Sequence, residues 1–329
     1  MQLRGKIMAI VALLMAVVLS AGCHRRPLED MNDGLYLDLT TNLDIQNLKE
    51  PLAKPELMRV VFYDAESYEF VSDDYVLADG GFISAQPGKY KMVVYNFDTE
   101  STLIRGDWVL PSIEAYTSEI PSSTRTNLLT KLNSTKPDFV APNPETPIVY
   151  MPDHLLVARK DVEVVHRTGV QTIYAEAETI VETYYLAVKL KNRAGLSSAQ
   201  ALLSGQAKSN MFSFEGGVSK EDVILYFDML SGVNEKTGTD VLHTTFNTFG
   251  KLPNVESRLW LTIVVTNTSG ETVSWQKDIT EEFLNNPDRY IYIEEPEIDI
   301  PNPPTPPPSG GGFQPTVDDW AEENYDIAI

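Results

Sequence analysis

Apolar residues in the body of this chain recur at every second position, the period of half-buried β-strands. Three stretches carry it best. In Lys89–Asn96, Tyr90, Met92 and Val94 fall on one face. In Leu259–Thr266, Leu259, Leu261, Ile263 and Val265 share a face, with Thr262 and Thr266 opposite. In Thr272–Ile279, Val273, Trp275 and Ile279 face one way, and Thr272, Ser274, Gln276 and Asp278 the other. The loop Asn267-Thr268-Ser269-Gly270-Glu271 joins the last two and suits a β-hairpin.

Further strands are expected at Arg59–Tyr63, Tyr75–Leu77, Phe82–Ser84, Trp108–Leu110, Val162–Val165, Thr172–Ala177, Ile180–Leu190, Val223–Met229, Asp240–Phe249 and Arg289–Glu294. Helical stretches are few and short: Arg125–Leu132, Ser197–Leu203 and Thr280–Asn285, the last with Thr280 as N-cap and Glu281 and Glu282 in its first turn. Strands at this spacing predict an all-β protein of two tandem antiparallel β-sandwich domains. Prolines at 137, 142, 144, 147 and 152 mark the boundary, because proline breaks ladders and stiffens connections.

The first residues read as a targeting segment. Arg4 and Lys6 precede an apolar run from Ile7 to Leu19, and Ser20-Ala21-Gly22 leads to Cys23. The run is short for a transmembrane helix, which needs roughly 20 residues. Cys23 is the one cysteine in the chain, so the exported fold has no internal disulfide. Its place after small residues resembles the lipobox of bacterial lipoproteins, except that Leu19 stands four residues before the cysteine, where the usual pattern has leucine three before. An ordinary signal peptide followed by an unrelated cysteine is the alternative. Several acyl chains on one residue would make attachment effectively stable.

The C-terminus changes character. Pro301-Asn302-Pro303-Pro304-Thr305-Pro306-Pro307-Pro308 favours a stiff polyproline spacer, and Gly310-Gly311-Gly312 a flexible joint. Beyond them Phe313, Val317, Trp320, Tyr325, Ile327 and Ile329 make an apolar, partly alternating end that reads as a strand to be paired elsewhere. The expected organisation is therefore a signal peptide over 1–22, a lipid tether over 23–34, β-sandwiches over 35–150 and 151–298, a Pro/Gly-rich linker over 299–312, and a C-terminal strand segment over 313–329.

Charge narrows the partners. The chain carries −21 and loses two positive charges with the signal, so its surface repels nucleic acid and anionic head groups. Reactive constellations are not recognisable. His24, His154, His166 and His243 show no metal-ligand spacing, and no thiolate remains for zinc once Cys23 is lipidated. The nucleophile elbow, the P-loop, the dinucleotide fingerprint and the zinc-protease helix motif are absent. The acidic pairs Asp73-Asp74, Glu281-Glu282, Glu294-Glu295, Asp318-Asp319 and Glu322-Glu323 read as solvated loops and caps. Tyr184, Tyr185, Trp260, Trp275, Tyr290 and Tyr292 could line a sugar-binding face, but most sit inside strand patterns and read better as packing residues. Neither a cofactor nor an enzymatic activity is expected.

Three segments also resemble an uncharacterised family of Bacteroidales surface lipoproteins, related to fimbrillin-type subunits and to the anchoring subunit of minor fimbriae. They are Cys23-His24-Arg25-Arg26-Pro27-Leu28-Glu29, Pro87-Gly88-Lys89-Tyr90-Lys91-Met92-Val93-Val94-Tyr95-Asn96 and Gly310-Gly311-Gly312-Phe313-Gln314-Pro315-Thr316-Val317-Asp318-Asp319-Trp320. The resemblance implies transthyretin-like Greek-key sandwiches, a surface-exposed place at the outer membrane through lipid on Cys23, and fimbrial or other surface subunits as partners. Fimbrillin-type subunits polymerise by lending a strand, a role that would fall to residues 313–329. No N-terminal processing site is recognisable, which favours an anchor or accessory role over a stalk subunit. A glycan-binding or adhesive lipoprotein is the second expectation, and a hydrolase the third.

Replacing Cys23 by serine is expected to move the protein from the outer-membrane fraction to soluble fractions. Unchanged membrane fractionation of Cys23→Ser would refute lipid anchoring.

Overall fold

The structure, a computed structural model, describes residues 34–42, 54–135, 145–166, 169–234, 236–253 and 256–301. Two rolled β-sheets make up most of it. The first comprises β1 (Gly34–Thr41), β2 (Met58–Asp64), β3 (Phe70–Val76), β4 (Gly80–Ile83), β5 (Gly88–Asn96), β9 (Leu156–Val164) and β10 (Val170–Thr179), in the order β3-β2-β5-β9-β10-β1-β4. The edge strands β3 and β4 are consecutive in the chain. In a flat seven-stranded sheet they would lie about 29 Å apart. The three residues between them reach only about 14 Å. The sheet must therefore curl until its edges meet. Leu37, Met58, Phe62, Met92, Ala158 and Ile173 fill the interior.

The middle strands are buried on both faces. On β5, Tyr90, Met92 and Val94 point into the roll, as their alternation predicts, while Val93 and Tyr95 point outward into a second core. Leu110, Ile113, Ala115 and Phe212 cover that outer face. They belong to or adjoin a small sheet of β6 (Thr102–Arg105), β7 (Glu114–Thr117), β13 (Ser209–Met211) and β14 (Gly217–Val218).

The second sheet runs β18-β17-β12-β15-β16-β11-β19. Its strands are β11 (Glu182–Lys191), β12 (Leu196–Ala207), β15 (Asp222–Val233), β16 (Asp240–Thr248), β17 (Trp260–Asn267), β18 (Thr272–Asp278) and β19 (Tyr290–Asp299). β17 and β18 form the predicted hairpin. Tyr184 stacks in the interior between Phe246 and Phe283. Across the roll, Trp275 Nε1 donates to the Pro296 carbonyl (3.0 Å) and Lys277 Nζ to that of Glu295 (3.2 Å), tying β18 to β19. Helix α1 (Ser122–Thr135) lays Leu128 and Leu132 on the outer face against Leu202, Ile224 and Val264. β8 (Ile148–Tyr150) joins the same sheet beside β15.

Several expectations need correction. Ser197–Leu203 is part of strand β12, not a helix. Its Ala199, Ala201 and Leu203 enter the interior while Leu202 meets α1, so two-sided burial overrides the helical preference of alanine and leucine. At Trp108–Leu110 only Val109 makes a β-bridge, to Glu69, and Leu110 opens a 3₁₀ turn. Thr280 begins helix α2 (Thr280–Leu284) rather than capping it, and Asp278 Oδ1 accepts its amide (3.0 Å). β1 was unforeseen. The division expected at 150/151 does not follow sheet membership: β8 lies in the second sheet, β9 and β10 in the first. Among the described residues three pairings are parallel: β1 with β10, β8 with β15 and β11 with β19.

The crossing between the two bodies is pinned by one asparagine from each. Asn96 at the end of β5 accepts from the Leu156 amide (2.7 Å) and donates to the His154 carbonyl (3.2 Å). Asn247 on β16 donates to the Pro152 carbonyl (3.0 Å). Asp153 Oδ2 gathers the amides of Glu100, Ser101 and Thr102. His154 Nδ1 is buried without a hydrogen-bond partner, and burial pulls its pKa below the ordinary value of 6.5.

Two outcomes follow from this packing. Gly80 has φ +98°, and a Cβ there would lie 1.9 Å from the Leu37 carbonyl oxygen, so Gly80→Ala is expected to cost about 2 kcal/mol, read as a lower urea midpoint. An unchanged midpoint would contradict the closure at this turn. Folding keeps His154 neutral, whereas the unfolded chain takes up its proton below pH 6.5, so its contribution is present above that pH and lost below it. His154→Gln should flatten the acid limb of Tm against pH; a limb as steep as in the wild type would contradict the assignment.

Candidate docking site

An exposed strand edge presents unpaired N–H and C=O groups that an added strand can satisfy. In the first body such an edge follows from unequal strand lengths. β3 has seven residues and β4 four, so the two part company after the turn that joins them. β3 pairs with β2 along one side, and along the other it has no ladder partner among the described residues. One side chain spans the seam: Asp74 accepts from the Tyr75 amide through Oδ1 (2.8 Å) and from the Ser84 amide through Oδ2 (3.0 Å).

Beyond the end of β4 the seam widens into a cleft of about 740 Å³. Leu35, Val71, Ile83, Ala85, Pro87 and Val164 give it an apolar lining, and Ser72, Gln86, His166 and Gln171 a polar one. Val71 and Val165 are each 46% exposed there. The cleft thus combines an open strand edge with apolar surface for alternate side chains, the two elements that strand addition uses.

The chain's arrival and departure flank this arrangement. Gly34 begins β1 on the wall of the cleft and pairs with Val170, the first residue of β10. The last residue of β10, about 30 Å further on, adjoins the second body. At the other end Ile300 is buried and donates its amide to the Lys191 carbonyl (3.3 Å). Asn192 Nδ2 donates to the Ile300 carbonyl (3.0 Å) and Asn267 Nδ2 to that of Pro301 (3.3 Å). Lys191 is the last residue of β11, whose first residues adjoin the first body. The described chain therefore begins and ends about one strand length from the junction, on opposite sides of it.

Cys23, Phe313, Val317, Trp320, Tyr325, Ile327 and Ile329 all lie outside the described residues. The acidic pairs take definite partners. Asp73 holds Arg59 at 2.8 Å, Glu282 pairs with Lys277 at 2.9 Å, and Glu294 stands 3.8 Å from Lys189. Asp318-Asp319 and Glu322-Glu323 lie outside the described residues. The described histidines stay apart: His154 at the junction, His166 in the cleft, His243 on an outer sheet face stacked on Tyr185. Among the described residues no three His, Cys, Asp or Glu side chains come together as a metal site. The cleft itself escaped the sequence reading. Its signal was the length difference between two neighbouring strands, and alternation does not mark strand ends.

Comparison with known proteins places this geometry. The family described as a domain of unknown function (DUF5119) matches residues 22–228. A Bacteroides ovatus protein provisionally named fimbrium anchoring subunit Fim4B is 27% identical over 346 residues, covering 97% of each chain. A crystal structure of a provisionally named adhesin from Bacteroides ovatus has a TM-score of 0.57 and 24% identity, covering 87% of this chain and 99% of that one. The last likeness shows the fold.

Proposed function

Since the chain belongs to the family of domains of unknown function DUF5119, we propose that it is a lipid-anchored structural protein of the cell surface, a fimbrial anchor or accessory subunit that docks its partners by β-strand pairing. The observation that carries this reading is the likeness to a fimbrium anchoring subunit, because it covers 97% of each chain and so spans both β bodies.

The physical parts fit such a role. Lipid on Cys23 holds the protein at the outer membrane. The ten residues between Cys23 and Gly34 reach at most about 38 Å, which keeps the first body close to the bilayer. The described chain leaves the second body at Pro301, on the far side of the junction from Gly34. Phe313, Val317, Trp320, Tyr325, Ile327 and Ile329 form the strand offered to a partner. The seam beside β3 is the matching acceptor edge. The work is done by backbone pairing and apolar contact, and the role is structural rather than catalytic.

Removal of residues 313–329 tests the reading in the native cell. Cells carrying the truncated chain are expected to shed fimbriae into the medium, while the truncated protein stays in the membrane fraction. Full retention of fimbriae, with the protein present at its normal level, would eliminate strand docking through this segment.

A further inference from the structure

The first body leaves two aromatic side chains outside its core clusters. Trp108 is 71% exposed and Tyr68 39% exposed, on two turns that lie side by side. Backbone hydrogen bonds fix the turns to one another: the Phe70 amide donates to the Trp108 carbonyl (2.9 Å) and the Leu110 amide to the Tyr68 carbonyl (2.9 Å). Buried groups hold the Trp108 turn from below. Arg59 Nη1 donates to Asp107 Oδ2 (2.7 Å), and the Tyr63 hydroxyl donates to the Asp107 carbonyl (2.9 Å). Phe70 packs against the indole in a T-shaped contact, with ring centres 5.2 Å apart at 68°.

Tyr68 adds an independent sign. Its φ of +61° lies in the left-handed region, where a bulky side chain is strained and glycine is not. A position that costs backbone energy carries a large ring that stays partly exposed. Strain held at an exposed aromatic points to use of the ring rather than to folding.

We propose that Trp108 and Tyr68 form a stacking site for a neutral saccharide, an adhesive function in addition to anchoring. A pyranose presents a C–H face to an aromatic plane and hydroxyls at its rim. Tyrosine and tryptophan offer broad apolar faces with one polar end, at little cost in side-chain entropy. Glu66 and Glu69, both exposed beside Tyr68, can accept hydrogen bonds from hydroxyls, and Lys91 Nζ, held by Asp161 Oδ1 at 2.9 Å, lies 5.9 Å from the Tyr68 ring centre. The chain's charge of −21 disfavours an acidic glycan or an anionic lipid surface. Glu66 and Glu69 also oppose insertion into a bilayer, which would strip their carboxylates of water.

The test uses the full mature chain on an array of neutral oligosaccharides, followed by calorimetry on whatever binds. Trp108→Ala and Tyr68→Gly are each expected to weaken binding about tenfold or more. Tyr68→Gly should leave Tm at or above that of the wild type, because glycine relaxes the left-handed turn. Membrane fractionation of both variants should be normal, so failure here is separable from failure of the anchor reading. No neutral saccharide bound by the wild type, or wild-type affinity in both variants, would overturn the proposal. So would Trp108-dependent binding to phosphatidylethanolamine vesicles in place of sugars.

Discussion

Everything in the first body follows from the shortness of the link between its two edge strands. Three residues join β3 to β4, so a seven-stranded sheet has no choice but to roll. Rolling buries Leu37, Met58, Phe62 and Met92 completely. At about 1.5–3 kcal/mol for each large side chain fully removed from water, such burial is the main stabilising force available to a fold without disulfides. The same closure creates the seam. A roll closed by a tight turn at one end and by strands of unequal length at the other must gape at the far end, and the cleft lies there. Core and candidate docking edge are thus two results of one constraint.

The second consequence concerns the outer face of that sheet. Central strands of antiparallel sheets often show one face to water, giving clean alternation. Here Val61, Tyr63, Val93 and Tyr95 also need cover. The small sheet and residues flanking β11 and β16 of the second body provide it, through Ala115, Phe212, Val181 and Phe249. The two bodies are joined through apolar packing as well as by the crossing segment. The asparagines at 96 and 247 then satisfy backbone groups that the crossing would leave unpaired, which is the condition for burying irregular chain. Arg59 plays the comparable part at the rim. One guanidinium with two carboxylates and the Tyr95 hydroxyl ties β2, β3, β5 and the Asp107 turn together, and burial pushes the Tyr95 phenol up to about 12.

The sequence disclosed what is local. The faces of Lys89–Asn96 and the hairpin at Asn267–Glu271 were readable because alternation and turn chemistry act between near neighbours. Ser197–Leu203 misled because its alanines and leucines favour a helix in isolation, and only the partners on both faces make it a strand. The division at 150/151 misled for a related reason: prolines mark a break in the chain, but not which sheet the next strand joins. Of the candidate site, Cys23 and the residues from Phe313 to Ile329 stood out as sequence, while the seam, the cleft and the exposed face of Trp108 depend on long-range pairing. Trp108 sits in a stretch that reads as an ordinary strand, and nothing in its immediate neighbours tells that it is left uncovered.

The parallel pairings matter most under tension. In the proposed anchor, held through its N-terminus and pulled through its C-terminus, load runs along the chain itself. β1 is drawn back toward the tether, while β10, parallel to it, is drawn forward into β11. β11 is in turn drawn back, while β19, parallel to it, is drawn forward toward Pro301. In each pair the strands are asked to slide past one another, so the ladder bonds from Gly34 to Thr41 are strained together. An antiparallel pairing at either end would instead open one bond at a time. Leu35, Leu37 and Leu39 resist the same sliding by their burial in the roll. A mostly antiparallel architecture thus places one parallel pair where the chain enters the first body and another where it leaves the second, the two places that carry the load in the proposed anchor.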